Sequence, residues 1–89
     1  PMLPSNGGAV FRILELMPGT PPHMHKTETI DYIVVLAGTL SMLLDDGTEL
    51  TMRPHDVMIQ RGTVHGWANR GGEPCRFATI VIDATGARE

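Results

Sequence analysis

GTPPHMHKTETIDYIVVLAG, the stretch from Gly19 to Gly38, decides how the chain is read. Ile30 to Leu36 is short, rich in Ile and Val, and closed by Gly38. Periodicity alone would also allow a buried helical segment, but that composition and length favour a β-strand buried on both faces. Ahead of it stand His23 and His25, separated by Met24. On an extended chain alternate side chains share a face, so the two imidazoles point one way and Met24 the other. Two imidazoles on one face of a strand can grip one metal ion. A His-x-His pair alone is a weak signal. A third histidine, His65, strengthens it from its own punctuated segment, Gly62 to Asn69 (GTVHGWAN).

On either side the chain reads as short strands broken by turns. Pro1 to Gly8 is a loose arm, and Val10 to Met17 (VFRILELM) is a first strand stopped by Pro18-Gly19. Thr20-Pro21-Pro22 is extended or turned, and a ligand strand around His23 to His25 follows. The polar corner Lys26 to Thr29 leads into the apolar run. Leu40 to Leu44 and Thr48 to Met52 are joined by Asp45-Asp46-Gly47, a hairpin signal that marks both aspartates as turn residues. Pro54 to Asp56 is a turn, with His55 expected to be exposed. Val57 to Gln60, His65 to Asn69 and Arg76 to Ile82 complete the strands, and residues 84–89 form a polar tail. About eight short strands without a helical window predict an all-β fold, a sandwich or barrel, in a single domain over residues 1–89.

Composition narrows the function classes. With 42% apolar and 19% charged residues, the chain is globular. At 89 residues its core is small, burying roughly 60–65% of the unfolded surface. A net charge of −3 with scattered Lys and Arg gives no basic stripe, which argues against nucleic acid. No apolar run approaches the ~20 residues of a membrane span, and the start lacks a secretory pattern. The single Cys75 makes no internal disulfide, so nothing asks for an oxidising compartment. The expected location is cytoplasmic. Nothing resembles a nucleophile–base pair, a phosphate loop or paired glycosidase carboxylates.

These residues resemble the cupins, small jelly-roll β-barrels with a double-stranded β-helix topology. The first cupin motif is a glycine, a His-x-His pair, a glutamate and a glycine seven residues beyond it. Gly19, His23, His25 and Gly38 fit, and Asp31 stands where the glutamate would be. The second motif is a Gly-Asp turn, a strand, then Pro-x-Gly-x-x-His-x-x-x-Asn. Gly62, His65 and Asn69 fit it, and Asp56 suits the turn. The departures are an aspartate for the glutamate, with a wider spacing from His25, His55 for the turn glycine, and Gln60 for the proline. The wording is similar to that of a subgroup of small cupins found near metabolic and polyketide genes. Such relatives carry more residues upstream, which implies a short version or a trimmed domain whose barrel leans on a partner chain.

The resemblance implies a metal site of His23, His25, Asp31 and His65. The donor set suits a divalent transition metal such as Zn, Fe, Mn, Ni or Cu, with coordination positions left open for catalysis. The plainer alternative is three histidines satisfied by hydrogen bonds. Asp31 is either the fourth ligand or a carboxylate that orients a histidine. Glu28, its rival, lies in the polar corner, where fixing a longer side chain loses more entropy. Trp67 shares the face of His65 and is expected to wall a substrate pocket or simply to pack the core. Tyr32 faces away from Asp31, towards core or interface, and Arg12 and Glu15 are expected to face outward unless one of them reaches the barrel mouth. The functional expectation is a metal-dependent lyase, isomerase or dioxygenase acting on a small oxygenated molecule. The rival is a non-catalytic module that binds metal or ligand, or a dimerisation domain. Exposed strand edges, or exchange of the N-terminal arm, predict a homodimer.

Overall fold

The structure is a computed structural model and describes residues 8–26 and 28–83. Its strands are β1 (Ala9–Leu16), β2 (Thr29–Ala37), β3 (Leu40–Leu44), β4 (Glu49–Met52), β5 (Val57–Arg61), β6 (His65–Ala68) and β7 (Cys75–Asp83). They form a four-stranded sheet ordered β1-β7-β2-β5 and a three-stranded sheet ordered β4-β3-β6, with every pairing antiparallel. After β2 the chain crosses to the small sheet. It returns for β5, crosses again for β6 and returns for β7. The fold is an all-β jelly roll whose two sheets are not closed into one hydrogen-bonded barrel.

The inward residues of the two sheets meet in a core of Ile33, Val35, Cys75 and Phe77 from one side and Leu40 and Met52 from the other. Leu14, Leu16, Met58 and Trp67 pack against it half-buried. Cys75 is a packing residue, and burial pushes its thiol pKa up. The Asp45 to Gly47 turn behaves as its sequence suggests. Hydrogen bonds from Thr48, first from its side chain and then from its backbone N–H at 2.8 Å, hold the Asp46 carboxylate pKa below the ordinary value. Gly38 turns the chain between sheets at φ +74, and a Cβ there would lie 2.6 Å from the Pro74 carbonyl oxygen. Only glycine fits that approach.

Four expectations change. The strand over His23 to His25 reduces to a single antiparallel bridge, His25 with His65. Two successive prolines ahead of it supply no N–H for a longer ladder. Second, β2 is not buried on both faces. Asp31, Ile33 and Val35 are buried, but Tyr32 and Leu36 are 38% and 43% exposed, because no element of the described chain covers the outer face. Third, Arg12 does not face outward with Glu15. The two are three residues apart on one strand, so Arg12 joins the half-buried inner set of Val10, Leu14 and Leu16. Fourth, the described strands number seven, not eight. The N-terminal arm, except Gly8, and the tail at 84–89 lie outside the described residues.

His55 occupies the turn between β4 and β5 at φ +74, and its N–H donates to the Val35 carbonyl at 2.7 Å. This is the position where the cupin motif carries glycine. An L-residue there is strained by about 1–2 kcal/mol, partly offset by glycine's larger unfolded-state entropy. His55→Gly should therefore leave stability unchanged or raise it by up to about 1 kcal/mol, whereas His55→Val should lower it, as read by urea denaturation.

Candidate metal centre

His65 opens β6 and is 2% exposed. It is placed by long-range pairing. Its N–H donates to the His25 carbonyl at 3.0 Å, and the His25 N–H donates back to the His65 carbonyl at 2.9 Å. Gly66 lets the approaching segment lie close, since a Cβ there would sit 2.7 Å from Met24 Sδ and 3.1 Å from the His23 carbonyl oxygen. Residues 42 positions apart at most are thus held side by side, and the His25 and His65 ring centroids are 4.7 Å apart. His23 is exposed, its ring 6.3 Å from that of His25. The three histidines cluster at one end of β6, with His23 on the outside.

Both inner imidazoles have an assigned tautomer. His65 Nδ1 lies 2.9 Å from the Thr63 carbonyl oxygen, and His25 Nδ1 lies 3.2 Å from the His23 carbonyl oxygen. A carbonyl only accepts, so in each ring Nδ1 is the donor to it, which leaves Nε2 as the nitrogen that could offer a lone pair to a metal. This is the arrangement that orients a metal-binding imidazole. His65 Nε2 is buried and has no hydrogen-bond partner among the described residues.

Asp31 is held on the inner face of β2 between Val81 of β7 and Gln60 of β5. Its Oδ1 accepts the Thr29 hydroxyl at 2.6 Å, while Oδ2 lies 3.8 Å from His65 Nε2. That gap is too long for a hydrogen bond. It sets Nε2 and a carboxylate oxygen facing each other inside the protein without a direct hydrogen bond. Two ligand bonds of about 2.0–2.2 Å can span such a distance. The donors suit a divalent transition ion in chemical type. Among the described residues, however, no three His, Cys, Asp or Glu side chains are placed together closely enough to hold a metal ion. Glu28 is exposed and precedes β2.

Trp67, two residues along β6, meets His65 edge-on with ring centroids 5.5 Å apart and continues to Phe77 at 5.7 Å. It both packs the core and flanks the histidine. Asn69, which the sequence offered only as a motif position, proves to be a structural tie. Its Nδ2 donates to the carbonyls of Leu16 and Glu73 at 2.9 and 2.7 Å, and its Oδ1 accepts the Gly71 N–H at 2.9 Å. Gln60, in the place of the motif proline, is buried and donates to the Thr63 hydroxyl, bracing the turn whose carbonyl fixes His65. Neither partner is visible from local sequence.

A family profile described as "Cupin domain" matches residues 12–82, and the chain belongs to that family. It is 48% identical over 64 residues to phomopsin biosynthesis cluster protein C' of Diaporthe leptostromiformis, covering 72% of this chain and 34% of that protein. It is 37% identical over 86 residues to the cupin-domain-containing oxidoreductase fogC of Aspergillus ruber, covering 93% and 42%. The chain thus spans well under half the length of these curated relatives. Among solved structures, the polyketide cyclase RemF of Streptomyces resistomycificus superposes with a TM-score of 0.69 at 32% identity, covering 83% of this chain and 54% of that one. No helix among the described residues is long and apolar enough to cross a membrane.

Asn69→Ala removes a buried side chain that ties together three backbone groups of β1 and the β6–β7 loop. Each net hydrogen bond lost costs about 0.5–1.5 kcal/mol, since the exposed partners at Gly71 and Glu73 can turn to water. The variant should lose about 2–3 kcal/mol of stability in urea denaturation, with its strand content by circular dichroism intact below the transition.

Proposed function

We propose that this cupin domain is a metal-binding enzyme domain acting on a small oxygenated organic molecule, in a reaction of the lyase, isomerase or dioxygenase type. His25, His65 and Asp31 would hold a divalent transition metal, with His23 completing the set by turning inward. The observation that carries this reading is the buried, unpartnered Nε2 of His65 facing Asp31 Oδ2 at 3.8 Å. A bound ion would supply Lewis-acid polarisation of a substrate oxygen or, as iron, a site for O₂.

The chain's own residues would do the remaining work. The Thr63 carbonyl and the Thr29 hydroxyl hold His65 and Asp31 in place, so little reorganises when the site fills. Trp67 walls the site beside His65 and keeps water from that side. The names of the relatives, a cupin-domain oxidoreductase and a polyketide cyclase, support a small-molecule substrate of this kind. Residues beyond the matched region belong to the whole relatives, and the complete activity rests on them as well.

Elemental analysis of protein purified without chelator tests the site. His65→Ala should lose stoichiometric metal while Trp67→Ala keeps it, because the indole N–H is only a donor. Equal metal content in wild type and His65→Ala would sink the assignment.

A calorimetric zinc titration distinguishes the two acids. Asp31→Ala should weaken affinity by roughly tenfold or more, the scale of losing a ligand or its close support, and Glu28→Ala should change it little. The reverse order would move the carboxylate role to Glu28.

A further inference from the structure

We infer that Gln60 is a positioning residue of the candidate metal centre. Acting through Thr63, it keeps the hydrogen on Nδ1 of His65 and so leaves Nε2 as the nitrogen that can take a metal. The role belongs to a departure of this chain from the cupin motif, which carries proline where Gln60 stands. Its consequence for metal affinity rests on the metal reading, but its consequence for the ring holds in metal-free protein.

Gln60 lies near the end of β5, opposite Asp31 of β2 in the register, and is 8% exposed. Opposite residues on one face of an antiparallel pair have Cβ atoms about 4.5–5.5 Å apart, so the side chain starts beside that of Asp31. Its Nε2 donates to the Thr63 hydroxyl, across the turn that joins β5 to β6. The Thr63 carbonyl in turn accepts from His65 Nδ1 at 2.9 Å. The same turn is tied to the other half of the site. The Gly62 N–H donates to the Thr29 carbonyl at 3.3 Å, and the Thr29 hydroxyl donates to Asp31 Oδ1 at 2.6 Å. The segment from Gln60 to Thr63 is therefore the frame on which both His65 and Asp31 are set.

That frame needs a brace. Gly62 sits at φ +53 with nothing within 4 Å of where a Cβ would lie, and Thr63 is exposed. A glycine in open space does not stiffen a turn by itself. Proline at position 60 would stiffen it by fixing φ, whereas here a buried amide does so by a hydrogen bond. The ring depends on the result. A neutral imidazole in water favours its hydrogen on Nε2, so the Nδ1–H form has to be imposed by an acceptor held in place. If the Thr63 carbonyl swings away, the hydrogen moves to Nε2, which faces Asp31 Oδ2 at 3.8 Å. An N–H there closes to a hydrogen bond with a small movement and no longer offers a lone pair. The brace thus decides whether His65 serves a metal or Asp31. A neutral amide suits the position, because glutamate would set a second carboxylate beside Asp31.

Two measurements on the full chain test the proposal. Nitrogen-15 spectra of the imidazoles, after chelator treatment and at a pH well above the ordinary imidazole range, distinguish the tautomers. A calorimetric zinc titration reads affinity. Gln60→Met keeps the chain length without the amide, and Thr63→Val removes the hydroxyl. Each should move the His65 signal from Nδ1–H towards Nε2–H and weaken zinc binding about tenfold. The double variant should lose no more than the weaker single one, because both remove the same hydrogen bond. Thr63→Ser, which keeps the hydroxyl, should match the wild type. Position 63 is exposed, so Thr63→Val answers the question should Gln60→Met fail to fold. A wild-type ring with its hydrogen on Nε2 overturns the proposal, and so does a tautomer unchanged in both variants. Additive losses of zinc affinity do so as well. A tautomer that responds in a protein that binds no zinc would sink the metal reading and leave the positioning role standing.

Discussion

The parity of β2 is the constraint on which the rest of the structure depends. In the observed register Asp31, Ile33 and Val35 face inward, and Tyr32 and Val34 face out. A slip of one residue would expel the carboxylate and the two central core residues together and bring Tyr32 inside. The register is therefore fixed from both edges, by β7 on one side and β5 on the other. The core and the candidate metal centre are consequences of one strand's alignment.

The site itself depends on a different kind of contact. Asp31 is built into a sheet, but His25 and His65 are brought together by one isolated bridge between a proline-rich segment and the start of β6. That bridge closes a loop of about forty residues, a cost that local structure cannot meet. Gly66 permits the close approach, and Gln60 and Asn69 fix the flanking turns. The candidate centre is thus positioned by residues that offer it no ligand.

Much of this was legible in the sequence, because short apolar runs between glycine and proline turns leave few alternatives. The β3–β4 hairpin at Asp45 to Gly47 is a local signal, and so is the strand ahead of Gly38. Pairing partners are not local. Sequence could place His65 in its own segment but not show its backbone bridged to His25, nor set Arg12 inside and Glu15 outside. Strict alternation over His23 to His25 assumed a regular strand, and the prolines prevent one. The tautomers also lay beyond the sequence, since they depend on the carbonyls of Thr63 and His23 folding back onto the rings. The apolar run in β2 suggested burial on both faces, but among the described residues only the Asp31, Ile33 and Val35 face is covered.

That imbalance has a physical source in the site. Thr29, Asp31, Gln60, His65, Asn69 and Thr79 are all buried, and in a domain this small they occupy interior positions that aliphatic side chains would otherwise fill. Buried polar groups contribute little net stability even when well paired, and His65 Nε2 is unpaired among the described residues. The apolar surface that could compensate lies on the far side of the same sheet, in the rows through Ile80 and Val34. Buried polar groups and an exposed apolar face are then two aspects of one sheet, whose inner side holds Asp31 and whose outer side carries Phe11, Ile13, Val57 and Ile59.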